Sequence, residues 1–304
     1  MFNPTYEAQA RLLIECLPHV AKQECFALKG GTAINLFLHN LPRISVDIDL
    51  TYLPLKPRDE SFREISLALQ KIKADIEKYI SGSLVKERHI QGSIARLSIA
   101  TSQAEIKIEP NLVLRGCVGS PSLRELSPAA QYQFGLSARM KTLAVEDIYG
   151  GKLCAALDRQ HPRDLFDVRQ LLADGGITPA IRRAFVIYLA SHSRPMHELL
   201  CPNLVDLSPL YERQFSGMTS ETVTLDELLQ ARQELIAYLP HALDSDERKF
   251  LLAIKSGEPE WDLLGFTGLE ALPGLQWKLI NIRKMDARKH LEQIEALKRL
   301  WDSN

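Results

Sequence analysis

The chain has 304 residues, and its 37 lysines and arginines nearly cancel 38 aspartates and glutamates, so no global basic field marks it as a general DNA binder. Its five cysteines (Cys16, Cys25, Cys117, Cys154, Cys201) are odd in number and scattered without a Cys-x-x-Cys pair, which argues against a disulfide scaffold and a cysteine-based zinc or redox site. With 45% hydrophobic residues, no apolar run of membrane-spanning length and no basic-then-apolar leader in residues 1–11, the chain is expected to be globular and cytoplasmic.

In chain order, Ala10, Leu13, Ile14, Leu17 and Val20 recur at helical spacing and predict a helix over 6–21, interrupted near its end by Pro18. The apolar run 25–28 predicts a strand, followed at once by Lys29, Gly30 and Gly31. Lacking Cβ atoms, the glycines allow positive φ and let a phosphate approach the backbone amides. Thr32 stands where a helix over 32–39 would begin, and the unsatisfied N–H groups of that helix face the same turn, an arrangement suited to a triphosphate.

Next, Arg43, Ser45, Asp47 and Asp49 alternate with Ile44, Val46, Ile48 and Leu50, predicting a strand with one chemical and one apolar face. Two carboxylates on one strand face repel each other unless a cation lies between them, and hard oxygen ligands favour Mg²⁺ or Mn²⁺. Arg43 and Ser45 can hold phosphate oxygens beside that ion. Together the stretch reads as a nucleotide and metal site.

These residues, Gly30-Gly31-Thr32-Ala33 followed by Arg43-x-Ser45-x-Asp47-Ile48-Asp49-Leu50, resemble the signature of the AbiEii-type nucleotidyltransferases, a branch of the polymerase-β-like superfamily that includes the mycobacterial MenT toxins. The resemblance implies that Gly30, Gly31 and Thr32 hold a nucleoside triphosphate, with Lys29 beside them, and that Asp47 and Asp49 hold the metal that activates the α-phosphate. It also implies a toxin paired with an antitoxin encoded nearby, acting on an RNA such as the 3′ end of tRNA.

Beyond Pro54 and Pro57, helical spacing of Phe62, Ile65, Leu69, Ile72 and Ile76 predicts an amphipathic helix over 61–80. Alternation then predicts strands over 94–100 and 105–114, the second with Glu105, Lys107 and Glu109 on one face. A third carboxylate from a neighbouring strand can bind a second cation or take the proton from an attacking hydroxyl; Glu109 is the first candidate and Glu105 stands behind it. Residues 143–172 predict two helices broken near His161-Pro162. Lys152 on the first suits a nucleotide phosphate, Arg163 on the second could bind phosphate or an acid, and Asp164 or Asp167 could orient Lys152. A lysine after small residues followed by Arg-Asp-x-x-Asp again resembles the AbiEii-type family, and the sequence leaves open which aspartate matters. His161 reads as a turn residue.

The remainder is helical, with breaks at 193–195, 203–209 and 265–274. The expected architecture is therefore an α/β (α+β) nucleotidyltransferase core with a mixed sheet, residues 1–176, followed by an α-helical domain, 177–304, that frames a cleft. A basic final helix over 276–301 could meet an RNA backbone, with Trp277, Leu279, Ile280 and Ile282 packing it inward. Two other readings share the same first half: nucleotidylation of a small molecule or protein, and a noncatalytic nucleotide-binding module.

Overall fold

The computed structural model describes residues 2–302. The chain divides into two compact units: the residues up to Ala144 with Phe215–Thr222, and Val145–Gln214 with the residues from Val223 on.

The first unit contains α1 (Pro4–Ala21), β1 (Phe26–Lys29), α2 (Gly30–Ala33), β2 (Asp47–Tyr52), α3 (Arg58–Tyr79), β3 (Leu84–Ile90), β4 (Ser93–Ala100), β5 (Glu105–Asn111), β6 (Ser122–Glu125), α4 (Pro128–Phe134) and β7 (Arg139–Thr142). Helix α1 starts where the Asn3 side chain accepts from the Thr5 N–H and Pro4 fills a position that needs no donor. The strands form one seven-stranded sheet in the order β3-β4-β5-β2-β1-β7-β6. It is mixed: β2 runs antiparallel to β1 but parallel to β5, and β1 runs parallel to β7.

Helices α1 and α3 pack on one sheet face, where Ile48, Leu50, Leu97, Ile99, Ile106 and Ile108 are all fully buried. Each such side chain contributes roughly 1.5–3 kcal/mol on leaving water. Because side chains alternate, this apolar face obliges Lys29, Asp47, Asp49, Lys107 and Glu109 onto the other one.

The second unit is helical: α5 (Val145–Arg159), α6 (Pro162–Ala173), α7 (Pro179–Ser191), α8 (Met196–Leu200), α9 (Ser208–Gln214), α10 (Leu225–Ala242), α11 (Ser245–Ser256), α12 (Pro273–Arg283) and α13 (Ala287–Asp302). Helices α10 and α11 each open with a reciprocal capping box, Thr224 with Glu227 and Asp244 with Glu247. Gly150 lets α5 and α7 touch closely, since a Cβ there would lie 2.8 Å from the Phe185 nitrogen. No helix among the described residues is long and apolar enough to cross a membrane.

Several sequence expectations are corrected. The helix expected over 32–39 is instead the short turn α2 running into a π-helix, Ile34–Leu38, because the His39 N–H reaches back five residues to the Ile34 carbonyl at 2.8 Å. The strand expected from Arg43 begins at Asp47: before it, Arg43 bridges Thr219 and the Ile44 N–H donates to the Met218 carbonyl, so the chain at 43–44 meets the returning segment 215–222 instead of the sheet. Strand β5 stops at Asn111, whose side-chain oxygen accepts from the N–H groups of Val113 and Leu114 and turns the chain. The single helix expected over 276–301 is split into α12 and α13, the Asp286 carboxylate accepting from the Lys289 N–H where the second begins. Leu275, Leu279 and Ile282 pack α12, whereas Trp277 and Ile280 are 49% and 40% exposed.

Candidate active site

Strand β1 runs directly into α2, so the glycines sit beside β2, the neighbour of β1 in the sheet. Gly30 has φ +69, a left-handed conformation that disfavours any side chain, and a Cβ there would lie 2.6 Å from Asp49 Oδ2. A Cβ on Gly31 would lie 2.6 Å from Arg43 Nη2 and 3.1 Å from Ser45 Oγ. The two missing methyl groups thus let a carboxylate, a guanidinium and a hydroxyl converge on one stretch of backbone. Arg43 and Ser45 reach that place from the bridge segment before β2.

Thr32 is buried, and its hydroxyl is spent inside the protein: it donates to the Asp47 carbonyl at 2.5 Å and shares a hydrogen bond with Ser45 Oγ at 2.9 Å. Asn35 was not singled out in the sequence, yet its amide donates to the Gly31 carbonyl at 2.9 Å and fixes the turn from within. Its position four residues after Gly31 is the signal that could have shown it.

Across the sheet, Asp49 is in register with Lys29 of β1 on one side and Glu109 of β5 on the other, and Asp47 is in register with Lys107. In-register residues on neighbouring strands share a face about 4.8 Å apart. Glu109 Oε1 accepts from Arg96 Nη1 of β4 at 3.2 Å, which holds that carboxylate beside Asp49. Glu105 lies on the same face two residues before Lys107, exposed, at the start of β5. Among the described residues no three His, Cys, Asp or Glu side chains gather to hold a metal ion by themselves. The hard carboxylates of Asp47 and Asp49 nonetheless fit Mg²⁺, which ordinarily takes one or two carboxylates and completes its shell with substrate phosphate and water.

The second set of predicted residues lies on α5 and α6. Lys152 Nζ is 2.7 Å from Asp164 Oδ1 and 2.9 Å from Asp167 Oδ2, with all three side chains buried. Both aspartates therefore hold the lysine, and Arg159 adds a 2.7 Å contact to the other oxygen of Asp164. Burial alone would raise the Asp164 carboxyl, but the charges of Lys152 and Arg159 outweigh it and hold it well below the usual carboxylate range. His161 caps α6, its Nδ1 accepting from the Arg163 N–H, while its other ring nitrogen meets Gln214 Oε1. Burial pushes this imidazole down, in keeping with a neutral capping role. Arg163 occupies the first turn of α6 with a half-buried side chain.

A mixed sheet with a glycine turn against an Asp-x-Asp strand, followed in the chain by helices, is the build of a nucleotidyltransferase, and comparison with known proteins bears this out. The profile of the nucleotidyl transferase AbiEii toxins of type IV toxin–antitoxin systems matches residues 11–279. The chain belongs to that family and is a nucleotidyltransferase of the toxin class. Among solved structures it is similar to MenT4, a nucleotidyltransferase toxin from Mycobacterium tuberculosis H37Rv, with a TM-score of 0.59 and 16% identity, over 98% of this chain and 94% of that one. No curated protein matches the sequence.

Proposed function

We propose that this enzyme transfers a nucleoside monophosphate from a nucleoside triphosphate to an RNA acceptor such as the 3′ end of tRNA, blocking translation in the cytoplasm until a cognate antitoxin encoded nearby restrains it. The observation that carries the reading is the convergence of Asp49, Arg43 and Ser45 on the Gly30–Gly31 backbone, with Glu109 in register beside Asp49.

In this reading the acceptor hydroxyl forms a new bond to the α-phosphorus, the α–β bridging bond breaks, and pyrophosphate leaves. The amides of Gly30 and Gly31 receive the phosphates with Lys29, Arg43 and Ser45, while Thr32 keeps the turn in place. Glu109 takes the proton of the attacking hydroxyl. A Mg²⁺ or Mn²⁺ ion held by Asp47 and Asp49 would supply charge neutralisation at the α-phosphate. On α5 and α6, Lys152 clamped by Asp164 and Asp167, together with Arg163, is the second set of residues that this reading assigns to the nucleotide.

The test is to incubate the protein with total tRNA, Mg²⁺ and each α-labelled nucleoside triphosphate in turn. Label on RNA that disappears in Asp49→Ala, with thermal melting showing that variant folded, supports the reading. Pyrophosphate release without RNA label moves the acceptor to a protein or small molecule.

A further inference from the structure

Four cations lie on the open face of the outer sheet strands: Lys107 on β5, Arg96 on β4, and Lys86 and Arg88 on β3. The pairings fix this placement, since Lys86 is in register with Ser98, Ser98 with Lys107, and Arg88 with Arg96. Lys107 is in turn opposite Asp47, so the basic rows run straight on from the carboxylate rows.

Lys86, Arg88 and Lys107 have no ion-pair partner among the described residues, and Arg96 keeps a buried Nε without a hydrogen bond although its Nη1 reaches Glu109. The other side of β3 behaves differently: Glu87 there takes the Lys73 ammonium at 2.9 Å and lies 3.3 Å from His89. In a chain with 38 acidic residues, unpaired cations confined to one face and free of carboxylates on β3 and β4 mark a surface complementary to a polyanion.

The order of the strands adds direction. The glycine turn, Arg43 and Ser45 lie on the β1 side of Asp49, and Glu109 lies on the opposite, β5 side. A triphosphate on the glycines leaves the acceptor hydroxyl to approach from beyond Glu109, which is over β4 and β3. At about 4.8 Å per strand, Arg88 stands roughly 14 Å from Asp49 along this path.

We propose that the open face of β3, β4 and β5 is the track on which the acceptor RNA backbone lies, with Lys86 and Arg88 contacting phosphates upstream of the reacting 3′ end. This rests on the reading of the enzyme as one that modifies RNA.

The test uses the full chain and 5′-fluorescein-labelled tRNA, with binding followed by anisotropy at several salt concentrations, and compares wild type with Lys86→Ala/Arg88→Ala and the charge-keeping Lys86→Arg/Arg88→Lys. Thermal melting checks that each is folded. The Ala pair is expected to bind about tenfold more weakly, with a log–log salt slope lower by roughly 1 to 2, while the charge-keeping pair stays near wild type. In the transfer reaction the KM for tRNA rises in the Ala pair and the KM for the nucleotide stays constant.

Wild-type affinity and slope in the Ala pair overturn the proposal, and if RNA is still labelled the transferase reading survives. Weakened tRNA binding in the Ala pair with no label transfer by wild type keeps this face and removes the RNA-modifying reading. Unchanged RNA binding with loss of neutralisation by the purified antitoxin would overturn the proposal and reassign the face to a protein partner.

Discussion

Gly30→Ala gives a prediction whose size follows from the coordinates. The new methyl carbon would meet Asp49 Oδ2 at 2.6 Å, so the carboxylate must retreat by about 0.8 Å to reach an ordinary 3.4 Å contact, and φ is already +69. A left-handed non-glycine residue costs about 1–2 kcal/mol, which in a protein of this size lowers Tm by only a few degrees. Misplacing a catalytic group by about 1 Å costs on the order of a hundredfold in rate. The variant is therefore expected to remain folded while label transfer falls roughly hundredfold. Melting and transfer measured on the same preparation check this. Transfer within twofold of wild type would show that Asp49 does not need its place against the glycine turn.

Lys152→Ala strands two buried aspartates and is expected to cost about 3–5 kcal/mol in urea unfolding, unlike a surface lysine; a loss under 1 kcal/mol contradicts the clamp. Asp164 titrates below its unfolded value, so its contribution is complete above the ordinary carboxylate pKa and fades as pH falls below it; unfolding from pH 7 to 3 should show a steeper loss in wild type than in Asp164→Asn. Lys278 is buried with its ammonium on the carbonyls of His192 and Arg194, and burial brings its pKa down to about 8. Because the unfolded chain binds that proton up to higher pH, stability should rise between about pH 8 and 10, an increment missing from Lys278→Met. Burial pushes the Cys16 thiol up to about 12 and Cys154 is also buried, whereas Cys201 is exposed, so iodoacetamide should label Cys201 and spare those two in the native protein.

Much of the local structure could be read from the chain. Ile48 and Leu50 between Asp47 and Asp49 announce a strand with one buried face, and the structure keeps that alternation because a one-residue slip would expose both. The break at His161-Pro162 was equally visible, since proline suits the first turn of a helix and the preceding histidine caps it. Nonlocal pairing hid the rest. Nothing near Arg43 tells that residues 215–222 return to bridge it, and no linear pattern sets Asp49 against Glu109. Strand β3, Leu-Val-Lys-Glu-Arg-His-Ile, shows no clear apolar–polar alternation, because an edge strand is mostly solvated and carries charge on both faces.

The central claim is best tested at the acceptor itself. The purified chain is incubated with Mg²⁺ and an α-labelled nucleoside triphosphate, using tRNA either untreated or oxidised with periodate so that its 3′-terminal hydroxyls are destroyed. Transfer to a terminal hydroxyl predicts label on untreated tRNA and none on the oxidised form, with Asp49→Ala silent on both. Equal labelling of the two forms, or none on either, contradicts the account.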